Sequence, residues 1–600
     1  MEAILEKDGD IAEDISGIPI SVSGNKWVLP THDELLASVL IQKLDIHSTI
    51  AELMVRRHIS LAEAENFLSP SIKNSLPDPS EFMDMDKAAA RLALAITKSE
   101  KIVIFGDYDV DGATSSALLK RFFRMVGTEV SIYIPDRITE GYGPNINALL
   151  DLRKKGADIV VTVDCGTAAA EIFEEAGRSG LDIIVIDHHI GADKNPEICA
   201  LVNPNRLDEK TKIRHMAAVG MCFVLAVAIN RELRKSGWFK ERQEPNLLDI
   251  LDLVALGTIC DVVPLTGINR AFVSQGLKII GQRKNPGLAA LSDIAAITEK
   301  PTAYHAGFIL GPRINAGGRV GKAELGAILL SSDNAEEVLK AAEELNRLNT
   351  ERRALEAVML EEAIIQAEAK KDQPVIVLAS EGWHQGVIGI ICSRIKDSYK
   401  KPVAVISLEN GHGKASARSI PGVDMGAAIA AAKMAGIIKT GGGHAMAAGF
   451  TLEENQIPEL IAFLHERLGK RIEEKLQNVQ MFLDGAITIS GINADFIETL
   501  SRMAPFGSGN PEPLFLLKDI QIVKSQIVGA NHLRCIITDA FPGQSRTSLK
   551  AMAFRKLETP LGRHLLQDVH KPIGLIGQIR QNEWKGSKKI EFIIEDMVTA

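Results

Sequence analysis

Between residues 101 and 190 the chain alternates short apolar runs with stretches of helical spacing. The apolar runs are 102–105, 130–134, 159–163 and 183–186; the helical stretches between them are 115–126, 145–155 and 168–177. A short apolar run bounded by turn residues reads as a buried strand, and strand–helix alternation of this kind predicts a doubly wound parallel sheet. Before it, residues 1–45 read as a loose leader with a short helix, in which GNKWVLP has turn and strand character. A helical pattern at 45–68 is broken by Pro70, Pro77 and Pro79, and 88–99 is a further helix. After the alternating region, 216–235 and 247–256 are apolar helices, and 334–370 is a long exposed one rich in Ala, Glu and Leu. Strands are expected at 375–378 and 403–406, a small-residue helix at 445–448, and short strands at 514–523, 533–538, 549–554, 573–579 and 589–594.

The chemistry lies at the exit of each strand. After the first come Asp107, Asp109 and Asp111, then Gly112. Residues two apart on an extended chain point the same way, so several carboxylates are expected together at the carboxyl edge of the sheet, where open α/β folds bind ligands. The second strand leads into Asp136, Arg137, Glu140 and Tyr142, the third into Asp164, and the fourth into Asp187, His188 and His189. Asp261 sits between apolar pairs, Ile259-Cys260 and Val262-Val263, and burying an unpaired carboxylate is expensive. Like charges this close repel unless a cation separates them, and hard oxygen ligands suit Mg²⁺ or Mn²⁺. Simpler readings exist for each part. An EF-hand loop needs a glutamate at its twelfth position, where this chain has Leu118, and a helix before it. A solvated turn fits the first acidic stretch alone, a helix N-cap fits Asp164 alone, and a satisfied buried histidine fits His188 alone. Their recurrence at successive strand exits is what points to a metal site.

Composition narrows the class. At 600 residues with 46% hydrophobic and 24% charged positions, the chain is expected to form about three or four globular domains. No apolar run reaches the roughly eighteen residues of a membrane span, and the acidic start MEAILEKDGDIAED is no secretory signal. Six cysteines without a CxxC pair argue against zinc ribbons and disulfide frameworks, so a cytoplasmic location is expected. A net charge of −9 disfavours coating nucleic acid non-specifically, but permits a local basic channel.

DYDVDG, VTVDCG, VIDHH and GTICDVVP, in this order, resemble the DHH phosphoesterase superfamily. GPRINAGGRV, EGWHQGVIGI, SARSIPG, GGGHAMAAGF and APFGSGNPEPLF are similar to its RecJ branch, and the resemblance covers residues from about 45 to 600. It implies an α/β architecture: a parallel-sheet DHH domain (46–330 after a leader at 1–45), a connecting long helix (331–371), a smaller α/β DHHA1 domain (372–470) and a β-rich OB-like domain (477–600). The activity it implies is metal-dependent 5′→3′ exonuclease action on single-stranded DNA, releasing 5′-mononucleotides with two Mn²⁺ or Mg²⁺ ions, in DNA repair and recombination.

By the same resemblance Asp109, Asp111, Asp164, His188 and Asp261 are the metal ligands, with Asp164 bridging. Asp187 orients the histidine pair and His189 contacts the scissile phosphate. Superfamily pyrophosphatases carry a histidine where this chain has Phe105, and Asp107 is a further ligand candidate that compensates. Arg137 and Arg319 are phosphate clamps, and Tyr142 offers a face for stacking. Gly441, Gly442, Gly443 and His444, placed before the expected helix, form with Ser416 and Arg418 a pocket for a 5′-phosphate. Trp383 and His384 belong to one of the RecJ-like motifs, with no task derivable from the residues alone. Lys524, Arg534, Arg546, Lys550 and Arg555 are candidates to track phosphates along the OB-like domain, against the rival reading of a purely structural barrel. Single-stranded DNA is the expected partner, with a helicase and a single-strand-binding protein as further candidates and no membrane. Two other functions compete: a DHH phosphodiesterase for nanoRNA or cyclic dinucleotides, disfavoured by the long β-rich tail, and a non-catalytic nucleic-acid-binding scaffold, disfavoured by the retained ligands.

Overall fold

The computed structural model describes residues 21–136, 140–141, 143–191, 194–477, 480–540, 547–567, 571–584 and 587–599. Arg137, Tyr142, Arg546 and residues 1–20 lie outside the described residues. The chain forms two compact units, one of residues 71–474 with 507–509, the other of the remaining N-terminal and C-terminal segments.

The first unit is built on a five-stranded parallel sheet. Its strands are Ile102–Gly106, Ser131–Tyr133, Ile159–Val163, Asp182–Ile186 and Ala200–Val202, and in space the second lies outside the first, with the third, fourth and fifth following on the other side. The last of these is absent from the sequence-based expectation. The central strands are buried on both faces, which is why they read as continuous apolar runs. One face, with Ile104, Val161 and Ile184, packs under helices Met85–Lys98, Val110–Met125 and Ala218–Lys235. The other, with Phe105, Val160 and Val185, packs under Ile146–Lys154 and Ala170–Gly177. Strand order reverses between Ile102–Gly106 and Ile159–Val163, the position at which doubly wound sheets open a crevice at their carboxyl ends.

A 35-residue helix, Ala335–Ala369, leaves this domain; Asn334 caps it by accepting from Glu336 N and Glu337 N. At 1.5 Å per residue it runs about 52 Å. Its first half packs Ala341, Leu345 and neighbours on the parallel-sheet domain, its second half packs Met359, Ala363 and Ala367 on the next sheet. That sheet has the spatial order Thr440–His444, Ala447–Glu453, His412–Arg418, Val403–Glu409, Ile376–Glu381, antiparallel except for the last pair.

In the second unit, strands Phe515–Val528, His532–Asp539, Ser548–Ala553, Ser587–Thr599 and Pro572–Trp584 pair in that order, and the last pairs back to the first, closing a barrel. Residues 21–70 belong to this unit. This differs from the expectation of a loose leader at 1–45 and of 46–70 as part of the catalytic domain. Lys26–Val28 pairs with Gln480–Phe482, and Leu40, Ile50 and Met54 share a core with Phe496, Phe515 and Ile520. Asp596 ties the segment down, accepting from Ser21 Oγ at 2.6 Å and from Asn25 Nδ2 and Trp27 Nε1 at 2.9 Å.

Candidate metal centre and active site

The predicted acids gather at the carboxyl edge of the parallel sheet. Asp107 comes directly after the first strand, and Asp109 caps helix Val110–Met125, accepting from Gly112 N at 3.1 Å. The helix begins at Val110 rather than at residue 115, so Asp111 sits in its first turn and not on an extended chain. The side chain still turns inward. Asp111 is 1% exposed, and its two oxygens accept from Ala218 N at 2.7 Å and Val219 N at 2.9 Å, at the start of helix Ala218–Lys235. Two glycines permit this crowding. A Cβ on Gly112 would stand 2.4 Å from the Asp107 carbonyl oxygen, and one on Gly257 would stand 2.4 Å from Thr114 Oγ1 and 3.1 Å from Asp111 Oδ1. Gly257 thereby lets helix Leu251–Cys260, which ends at Asp261, approach the other acids. Asp164 leaves the third strand at φ 62°, in the left-handed region where a non-glycine residue is held against its preference.

His188 lies among these carboxylates. Its Nε2 is 3.2 Å from Asp164 Oδ1 and 3.8 Å from Asp111 Oδ2, and its Nδ1 is 3.7 Å from Asp261 Oδ2. Three sets of side chains each bring one ligand atom apiece within 4.8 Å of one another: Asp107, Asp109 and Asp164; Asp164, His188 and His189; Asp111, His188 and Asp261. Asp164 and His188 each belong to two sets. His188 Nε2 and Asp261 Oδ2 are buried without a hydrogen-bond partner, which costs free energy unless something else satisfies them. Divalent cations fit this donor set of carboxylate oxygens and imidazole nitrogen.

The electrostatics agree. Burial, then the neighbouring Asp109, pushes Asp111 up to about 7; burial, then Asp111 and Asp109, pushes Asp261 up to about 9; burial and the other carboxylates push Asp164 well above its usual value. This much crowded negative charge is relieved by cations. Burial and the adjacent His189 pull His188 down to about 4, so its imidazole is neutral at physiological pH and able to ligate. Asp187 behaves oppositely. Burial would raise it, but His189 Nδ1 at 2.7 Å, Thr167 Oγ1 at 2.7 Å, Thr167 N at 3.0 Å and His188 N at 2.7 Å all donate to it and hold it below the usual carboxylate range. Burial works against a charged His189 as well, yet Asp187 keeps it up to about 9.

The second sheet corrects one expectation. Gly441, Gly442, Gly443 and His444 do not precede a helix; they form the edge strand Thr440–His444, which turns into the strand Ala447–Glu453. The helix N-terminus invoked for a phosphate is therefore not there. Register nevertheless aligns Ser416 with Gly449 and Gly442, and Arg418 with Ala447 and His444, on neighbouring strands. Arg418 Nη1 donates to Ser416 Oγ at 3.0 Å. Another helix start faces them: a Cβ on Gly389, in helix Ile388–Tyr399, would stand 3.3 Å from both Arg418 Nη2 and Ser416 Oγ. Arg319 reaches across from the parallel-sheet domain, its Nη1 donating to Gly386 O at 3.1 Å. The preceding Gly318 approaches Tyr108 closely enough that a Cβ would stand 2.7 Å from the Tyr108 carbonyl oxygen. His384 accepts from Gly386 N through Nδ1 at 3.1 Å and so orders the turn that Arg319 grips. Trp383 anchors the same turn, donating to Glu362 Oε2 at 2.8 Å.

Residues 101–258 match the DHH family, N-terminal domain, and 372–470 match the DHHA1 domain, so fold and sequence agree on a DHH-type phosphoesterase. Residues 483–596 match the RecJ OB domain. The chain is 32% identical over 584 residues to the single-stranded-DNA-specific exonuclease RecJ of Bacillus subtilis, covering 95% of this chain and 70% of that one. It is 34% identical over 543 residues to the protein of the same name from Salmonella typhimurium, covering 88% and 92%. The crystal structure of RecJ in complex with Mn²⁺ from Thermus thermophilus superposes with a TM-score of 0.78 at 27% identity, over 96% of this chain and 80% of that one. The chain belongs to the RecJ family of single-stranded-DNA-specific exonucleases.

Sequence reading missed Thr167 as a partner of Asp187, the glycines that admit Asp111 and Asp261, and Asn203 and Asn205. The one available signal for the asparagines was the polar NPN that breaks the apolar ALV run after the histidine pair.

Proposed function

We propose that this chain hydrolyses single-stranded DNA from the 5′ end and releases 5′-mononucleotides, using two Mn²⁺ or Mg²⁺ ions. The convergence of Asp107, Asp109, Asp111, Asp164, His188, His189 and Asp261 into three overlapping sets of candidate ligands carries this reading. Asp164 would be placed to serve both ions, because it belongs to two of the sets and a carboxylate offers two oxygens. When bound, the ions supply an activated water and neutralise the leaving oxygen of the phosphodiester. The protein's own groups supply the rest. Asp187 keeps His189 cationic and aimed, and His189 then steadies charge developing on the scissile phosphate. Arg319 and Arg418 hold phosphates of the strand, with Ser416, Gly442 and His444 lining the place of a 5′-phosphate.

Supporting the exonuclease reading is the short path between these places: Tyr108 touches Gly318, Arg319 holds Gly386, and Gly389 abuts Arg418. A 5′-phosphate held there sits at a fixed remove from the metal centre, so each cut frees one terminal nucleotide. The OB-like barrel suits single strands; Lys524, Arg534 and Arg555 are the phosphate contacts proposed on it, while Lys550 is paired with Glu591. No helix among the described residues is long and apolar enough to cross a membrane. All six cysteines are free, which supports a reducing cytoplasm; a helicase and a single-strand-binding protein complete the proposed setting of DNA repair and recombination. The test is to incubate the protein with end-labelled single strand, duplex and a cyclic dinucleotide, with Mn²⁺ or EDTA. Mononucleotides should appear from the single strand alone, only with Mn²⁺; cleavage of the cyclic dinucleotide instead would replace this reading.

A further inference from the structure

We propose that Asn203 and Asn205 form a clip that positions the two histidines of the metal centre, and that divalent-ion affinity depends on it. Both come after the edge strand Ala200–Val202, whose Val202 carbonyl accepts from Asp187 N at 3.0 Å. Asn203 is fully buried. Its Nδ2 donates to the His189 carbonyl at 2.9 Å and to Thr167 Oγ1 at 2.7 Å, and its Oδ1 accepts from Asn205 N at 2.7 Å. Asn205 Nδ2 donates to the His188 carbonyl at 2.5 Å. Each histidine carbonyl is thus held by one asparagine.

The direction of every bond is fixed by chemistry. A peptide carbonyl only accepts and a peptide N–H only donates, so the Asn203 amide has one possible orientation. Thr167 Oγ1 gives its single proton to Asp187, which as a carboxylate only accepts, and its lone pair takes the Asn203 proton. The clip therefore runs from Asn203 through Thr167 to Asp187 and on to His189, and in parallel from Asn205 to His188. Rotation of either histidine peptide would break a part-buried hydrogen bond and swing a ring away from Asp164, from which His188 Nε2 is 3.2 Å. Asn205 acts through His188, as outer partners of metal ligands do; Asn203 reaches His188 by fixing the Asn205 N–H, and reaches His189 through Thr167 and Asp187.

The proposal rests on the metal-centre reading above, and the test separates the two. Asn203→Ala and Asn205→Ala are made in the full chain, and Mn²⁺ binding is followed without DNA by the electron paramagnetic resonance signal of the free ion. Melting temperature is measured in EDTA. The dissociation constant of at least one ion should rise about tenfold or more in each variant, with the metal-free melting temperature within a few degrees of wild type. Wild-type Mn²⁺ affinity in the variants, whatever happens to the melting temperature, overturns the clip. If Asn203→Ala does not fold, the less buried Asn205→Ala decides alone by the same criterion. If the unaltered protein binds no Mn²⁺, the metal-centre reading itself is wrong.

Discussion

Gly257→Ala tests whether close helix approach sets the metal centre. The added Cβ would stand 2.4 Å from Thr114 Oγ1, 2.7 Å from Val219 Cγ1 and 3.1 Å from Asp111 Oδ1, whereas ordinary contact begins near 3.4 Å. Thr114 Oγ1 is committed to the Val110 carbonyl at 2.7 Å, inside the helix turn that carries Asp111, so it does not simply rotate aside without cost. Helix Leu251–Cys260 must retreat by about 1 Å, taking Asp261 with it. Overpacking of this kind costs about 1–3 kcal/mol, offset by about 1 kcal/mol because alanine favours helix over glycine. Net stability should fall by no more than about 2 kcal/mol. A misplacement of about 1 Å at reacting groups costs on the order of a hundredfold in rate. The assay is release of nucleotides from labelled single strand across a Mn²⁺ titration, beside a thermal melt. Activity should fall about a hundredfold and the Mn²⁺ midpoint should rise. Gly287→Ala is the control: its Cβ would stand 2.0 Å from the Leu329 carbonyl oxygen, away from the ligands, so it should lower the melting temperature and leave the Mn²⁺ midpoint unchanged. Wild-type turnover and midpoint in Gly257→Ala would refute the reasoning.

Three further outcomes are expected. His188→Ala removes one of the two candidate ligands shared between sets and should abolish cleavage in Mg²⁺, a drop of about a thousandfold or more, while the circular dichroism spectrum is kept; near-normal activity would defeat the assignment. Arg418→Ala should slow digestion of 5′-phosphorylated strands about tenfold or more and leave 5′-hydroxyl strands little changed, whereas equal losses on both count against the pocket. Metal-free protein should lose stability as pH rises from about 6.5 to 9. Across that window Asp261 and His189, both held up to about 9, and the raised Asp164 keep more protons in the folded than in the unfolded chain, so their contribution is present at low pH and lost on passing the folded values. His188, drawn down to about 4, opposes this only below its ordinary 6.5. Melting temperatures in EDTA should therefore fall over that range, and Mn²⁺ should stabilise most at its upper end; a flat or rising profile contradicts the charge arrangement.

The parallel sheet and its acids were legible because each buried strand is a continuous apolar run and each candidate ligand except Asp261, which ends a helix, comes soon after one. The parts that escaped depend on contacts distant in sequence. Ala445–Ala448 looks helical by composition, yet residues 447–453 pair with 412–418 as a strand, because a tertiary partner outweighs a weak local preference. The three-residue strand Ala200–Val202 is too short to stand out, so the asparagines behind it stayed hidden. Asp111 was expected on extended chain, but the Asp109 cap starts the helix early, and its inward turn depends on Ala218, far along the chain. Residues 26–28 gain their strand only from Gln480–Phe482. The residues proposed for a 5′-phosphate are neighbours through register across an edge hairpin, where a helix start had been expected to unite them.

Anomalous diffraction at the manganese edge from crystals of the Mn²⁺-loaded protein tests the central claim most directly. Two peaks are predicted within the cluster of Asp109, Asp111, Asp164, His188 and Asp261, with Asp164 contacting both. Peaks elsewhere, or none beside His188, would contradict it.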